Sequence, residues 1–101
     1  MDKPRLELVE SSRCVVTGDM TFATVPGLIG EVGAICMNAS EHLDVDLEGV
    51  GRADSAGLAL LIEWVRSAHR AGKTLSFHGV PSQMSAIART SDLEGVLPFA
   101  E

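Results

Sequence analysis

No run of lysine or arginine occurs anywhere in the chain, and 8 basic residues face 14 acidic ones, for a formal net charge of −6. A field of that sign repels a phosphate backbone or an anionic bilayer surface, so nucleic acid is excluded as the natural partner. No stretch reaches the roughly 18–20 apolar residues that a bilayer span needs, and the opening MDKPRLELVE lacks the apolar centre of a secretion signal. The expectation is a cytoplasmic protein that meets a membrane only through a partner. Cysteine is scarce too. Cys14 and Cys36 have no CxxC or histidine-paired spacing and read as small buried hydrophobes in a reducing compartment, not as a disulfide or a metal site. His42, His69 and His78 are scattered without ligand spacing, His69 falling near a buried stripe, and no cofactor is expected.

Apolar residues are plentiful. They make up 46% of the 101 residues against 22% charged, enough to offset the chain entropy lost on folding, and the length fits one domain over 1–101. Leu6 and Leu8, then Cys14, Val15 and Val16 after a polar break, predict a hairpin. Val25, Leu28, Ile29, Val32, Ile35 and Cys36 recur at helical spacing and predict a helix over 24–38, with Thr24 as its cap and Pro26 in its first turn. Gly27, Gly30 and Gly33 weaken that helix, each by about 1 kcal/mol relative to alanine. They signal either a soft helix or the close approach of another one.

Residues 42–47 alternate as HLDVDL and predict a half-buried strand, broken by Gly49 and Gly51. A long helix follows, with Leu58, Leu61, Ile62, Val65 and Ala68 as its stripe and Gly72 at its end. A strand over 73–78 buries Leu75 and Phe77, a helix over 82–90 carries Met84, Ile87 and Ala88, and an apolar tail of Leu93, Val96, Leu97 and Phe99 folds back. The order is β-β-α-β-α-β-α, an α/β fold in which 42–47 and 73–78 are parallel neighbours and the helices lie mostly on one side.

The chemistry concentrates where the strand turns into the long helix. Backbone N–H groups of Ala56, Gly57 and Leu58 start that helix and attract an acceptor, which Asp54 or Ser55 supplies from within or an anion supplies from outside. Leu60 and Trp64 lie one turn apart on the flank away from Leu58, Ile62 and Val65, and read equally as a docking patch or as the edge of the core. Arg66 and Arg70 read as solvated charges.

Residues 46–57, D-x-x-x-V-x-x-x-D-S-x-G, followed by Leu58, with G-K-x-L-x-F-x-G-V at 72–80 and Gly18-Asp19-Met20 after the second strand, resemble the STAS domain family. The GLALL after the turn and L-x-x-V-L-P at 93–98 look most like its MlaB-like members, small cytoplasmic subunits of phospholipid-transporting ABC systems. The resemblance implies a mixed sheet of four to five strands packed on about three to four helices. It also implies a non-catalytic partner surface at Asp54, Ser55, Ala56, Gly57, Leu60 and Trp64, meeting the ATPase subunit of the transporter without direct lipid contact.

In anti-sigma factor antagonists of this family the second serine of D-S-S-G is the phosphorylated one. Here it is Ala56, which has no hydroxyl, so a phosphate switch at that position is excluded. Thr21 stands where many members carry an aspartate. Ala53-Asp54-Ser55-Ala56-Gly57 also imitates a hydrolase elbow, but its first glycine is missing and the chain has no room for the usual scaffold.

Overall fold

Alternation of apolar and polar residues builds the sheet and decides which of its faces is covered. In the computed structural model, which describes residues 3–36, 38–93, 95 and 97–100, β1 (Arg5–Glu10) and β2 (Arg13–Met20) form an antiparallel hairpin. β3 (His42–Ala53) runs parallel to β2, and β4 (Thr74–His78) runs parallel to β3, giving the order β1-β2-β3-β4. Register places Leu8 opposite Cys14, Cys14 beside Val45 and Val45 beside Phe77, so one apolar row crosses all four strands. One residue away the row reads Glu7, Val15, Asp46 and His78, and that face is left to water. The apolar tail returns to β4 as expected. Phe77 N–H donates to the Pro98 carbonyl at 2.9 Å, Ala100 N–H donates to the Phe77 carbonyl at 2.8 Å, and the Phe77 and Phe99 rings meet edge to face. Leu97 is buried there, while Val96 lies outside the described residues.

The helices complete the core on the apolar face. α1 (Glu31–Cys36) contributes Val32 and Cys36, α2 (Ser55–Arg70) contributes Leu58, Leu61 and Ala68, and α3 (Ser82–Thr90) contributes Met84 and Ala88. Burial pushes the Cys14 thiol up to about 12, with smaller contributions from Cys36 and Asp46, and burial also raises Cys36. Both thiols are free and stay protonated at neutral pH, so they pack as hydrophobes.

Four expectations need correction. The helix over 24–38 is two pieces, a 3-10 turn (Val25–Leu28) and α1, because Ile29 is extended and Gly30 adopts a left-handed φ of 85°. Ile29 therefore leaves the apolar face and is 64% exposed. Thr24 does not cap with its side chain. Its hydroxyl donates to the Asp19 carbonyl at 2.7 Å and accepts the Thr21 N–H at 2.9 Å, tying the preceding turn together. Nothing lies within 4 Å of where a Cβ would sit at Gly27, Gly30 or Gly33, so no helix approaches them closely.

The strand beginning at 42 does not stop at Gly49 but continues to Ala53, absorbing register shifts against β2. The added length carries the chain to the edge of the sheet where α2 begins. Finally, His69 is exposed, not near the buried stripe.

Where α2 lands on the sheet, Gly57 permits the contact. A Cβ there would meet the Met20 carbonyl oxygen and lie 2.7 Å from Met84 Cε and 3.1 Å from Met20 Cβ. Gly57→Ala should therefore destabilise by about 1–3 kcal/mol through overpacking. Gly33→Ala, in open space inside α1, should stabilise by about 0.4–1 kcal/mol. Urea unfolding of the two variants checks the contrast, and equal midpoints would contradict it.

Candidate docking site

The junction of β3 and α2 is organised by one carboxylate. Asp54 is extended, with φ −136° and ψ −168°, and its side chain folds over the first turn of α2. Oδ1 accepts the Ala56 N–H at 2.9 Å and the Gly57 N–H at 3.4 Å, while Oδ2 accepts the Phe22 N–H at 3.0 Å. Asp54 N–H in turn donates to the Met20 carbonyl at 3.3 Å. The third N–H of the helix start, that of Leu58, bonds the Asp54 carbonyl at 3.2 Å. The cap is Asp54 and not Ser55, and the donors that would attract an outside anion are satisfied from within the chain.

Ser55 is left exposed at the start of α2, and among the described residues its hydroxyl has no hydrogen-bond partner. Nucleophilic catalysis needs a base within hydrogen-bond reach, and Ser55 has none among them. Ala56 is half-buried beside it and Gly57 is buried against Met20.

Leu60 and Trp64 are not a surface patch: they are 3% and 1% exposed. The buried stripe of α2 is rotated towards them, leaving Ile62 and Val65 only partly covered, because α2 is packed by α1, α3 and the sheet together. A partner does not reach the Trp64 side chain in this structure.

Two exposed apolar residues that sequence reasoning did not single out as surface, Phe22 and Ile29, line a groove with the first two turns of α2. Phe22 is 83% exposed, and with Ile29 it rims a groove of about 440 Å³. Val25 and Pro26 of the 3-10 turn continue that wall, while Ala56, Ala59 and Glu63 of α2 form the other and Leu60 contributes to the floor. Leu60 thus belongs to the site as part of its lining, and Trp64 does not line it. The signal for Phe22 was present in the sequence as a lone aromatic in the polar segment TFAT. Ile29 was hidden by its helical spacing from Val25.

The open face of the sheet carries a separate polar cluster. Asp44 Oδ1 meets His42 Nε2 at 3.2 Å and His78 Nε2 at 3.0 Å, and Arg13 pairs with Asp46 at 2.8 Å. No group of three or more histidine, cysteine or acidic side chains suited to a metal ion occurs among the described residues. The hydrogen bond from His78 holds Asp44 below its ordinary 3.8, and the Glu48 backbone N–H, aided by Arg13, does the same for Asp46. Because the folded values are depressed, this stabilisation is complete above the unfolded value and is lost as pH falls through the folded ones.

Three outcomes follow from this geometry. Asp54→Ala should cost about 1–2 kcal/mol in urea unfolding and speed amide exchange at Phe22, Ala56 and Gly57. Ser55→Ala should change stability by less than about 0.5 kcal/mol, and a larger effect would mean that Ser55 is the cap. The thermal midpoint should fall below about pH 4, and the Asp44→Asn/Asp46→Asn double variant should flatten that decline. An unchanged slope would show that the cluster is not responsible.

The sequence model of the family described as "Mlab, STAS domain" matches residues 7–98. No curated sequence matches the chain. Among solved structures, a putative anti-sigma factor antagonist from Thermotoga maritima superposes with a TM-score of 0.73 at 10% identity, covering 97% of this chain and 86% of that one. An anti-sigma factor antagonist from Mycobacterium paratuberculosis gives 0.70 at 17% identity, covering 98% and 85%. The phosphorylated form of the Bacillus cell fate determinant SpoIIAA gives 0.66 at 17% identity, covering 97% and 91%. At these identities the likeness concerns the fold alone, whereas the sequence match spans nearly the whole chain. This chain belongs to the STAS domain family, among its MlaB-like members.

Proposed function

We propose that residues 1–101 act as one non-catalytic STAS module that docks onto the ATPase subunit of a phospholipid-transporting ABC complex, the kind that maintains outer-membrane lipid asymmetry. The observation that carries the docking reading is the exposed Ser55 turn continuous with an apolar groove whose rim, Phe22 and Ile29, is left in water. Exposed apolar surface of this kind beside a rigid turn is the usual mark of a protein contact. The MlaB-like sequence match supports the transporter as the setting.

Asp54 and Gly57 hold the turn, Ser55 and Ala56 face the partner, Leu60 supports the groove from below, and Trp64 anchors α2 in the core. The module stabilises or activates the ATPase by binding one of its states better than another. It needs no cofactor and touches no lipid. No described helix is long and apolar enough to cross a membrane. In this reading the chain meets the inner membrane from the cytoplasm, through the complex.

The anti-sigma factor antagonists among the fold neighbours favour a second reading, in which the same surface binds a kinase-like regulator without a phosphate switch at Ala56.

Co-expression with the transporter ATPase tests the first reading. Ser55→Arg, at an exposed position, should leave the thermal midpoint within a few degrees and lower co-purification and ATP hydrolysis at least about tenfold, roughly 1.4 kcal/mol of binding. Full co-purification and hydrolysis by that variant would remove this surface from the contact. Binding to an anti-sigma kinase in place of the ATPase would favour the second reading.

A further inference from the structure

We propose that the groove between the 3-10 turn and α2 receives an amphipathic helix of the protein partner, with apolar anchors on its buried side and a lysine or arginine opposite Glu63. The proposal rests on the docking reading of this surface and adds the chemistry of what enters it.

The walls decide the shape of the occupant. One wall is α2 from Ala56 to Glu63, about 10 Å or two helical turns. The other is the 3-10 turn with its flanking Phe22 and Ile29. Helical backbone spends its N–H and C=O groups internally, so the groove offers no strand edge, and an extended peptide gains no ladder of main-chain hydrogen bonds there. Polyproline recognition needs ridges of several aromatic rings, and Phe22 is the one aromatic in this lining. A helix laid into the groove needs only side-chain contacts, and anchors spaced at i, i+3 or i+4 and i+7 match a wall two turns long.

Charge decides among the remaining occupants. Glu63 is the one charged residue of the lining among the described residues, and the chain carries −6 overall. A second copy of this chain would bring a second Glu63 and the same excess of acid to one contact. An acyl chain with an anionic head would set its charge against Glu63. A basic helix meets it favourably, and it has only a surface ion pair to displace. Arg70 holds Glu63 at 3.1 Å, with the two side chains 65% and 45% exposed, and such pairs exchange at little cost.

Three synthetic 15-residue peptides titrated into the isotope-labelled full chain test the proposal by amide shifts. One is a helix with leucine at i, i+3, i+4 and i+7 and flanking lysines, the second replaces lysine by glutamate, and the third is the lysine peptide broken by proline. The lysine helix should shift amides within 22–29 and 56–63 and bind at least about fivefold more tightly than the glutamate helix. The proline-broken peptide should lose about tenfold, Ala59→Glu should abolish the shifts, and Glu63→Lys should reverse the preference between the two helices.

Equal binding of all three peptides, shifts confined to other residues, or no binding overturns the proposal. Tighter saturation of the same amides by decanoate, or a concentration-dependent dimer that covers them, overturns it as well. The transporter reading is scored separately. Peptide binding in the groove without ATPase association retires the transporter and keeps the groove assignment. ATPase association that survives Ala59→Glu and Glu63→Lys, with no peptide binding, retires the groove assignment and keeps the transporter.

Discussion

The Asp54 carboxylate is the constraint on which the surface depends. One oxygen closes the first turn of α2 and the other holds the Phe22 amide, so a single side chain binds the end of β3, the start of the helix and the turn after β2. The Asp54 amide completes the clamp on Met20. A capping residue ordinarily serves one helix. Here the same contact fixes where the loop bearing Phe22 stands relative to α2, and the groove exists because those two pieces are held apart at a set distance with nothing between them.

The close packing beneath the clamp makes it rigid. Gly57 lets α2 lie directly on Met20 and Met84, and Leu58, Leu61 and Trp64 continue that contact into the core. Thr24 stitches the turn on the far side through the Asp19 carbonyl. The sheet beneath is apolar on the face that receives the helices and polar on the other, where Asp44 and Asp46 meet His78 and Arg13. Such a scaffold presents a preorganised surface, which lowers the ordering cost that association must meet.

Period-2 alternation at 42–47 and the stripes at 58–68 and 82–90 were enough to place β3, α2 and α3, since long amphipathic patterns bury one face whatever the partner. The family motif at 46–57 located the turn, and capping chemistry narrowed its acceptor to Asp54 or Ser55. Choosing between those two required coordinates, because both side chains have an oxygen at the right reach. The break at Ile29 was also invisible. Hydrophobic spacing continues smoothly through Gly30, and only the backbone shows that this glycine took a left-handed conformation and turned Ile29 outward.

The sequence by itself determined the element order, the inward-facing residues of 42–47 and 73–78 and the choice of Asp54 or Ser55 for the helix cap, because each follows from local pattern and side-chain chemistry. Tertiary structure alone decided which side of α2 is core. Leu60 and Trp64 are buried because α1, α3 and the sheet all pack against that helix, and no single-helix pattern encodes the positions of three neighbours. It also decided the groove. Phe22 and Ile29 are distant in pattern from Ala59 and Glu63, and they share a groove because Asp54 ties the Phe22 amide to the start of α2 and the left-handed Gly30 turns Ile29 outward.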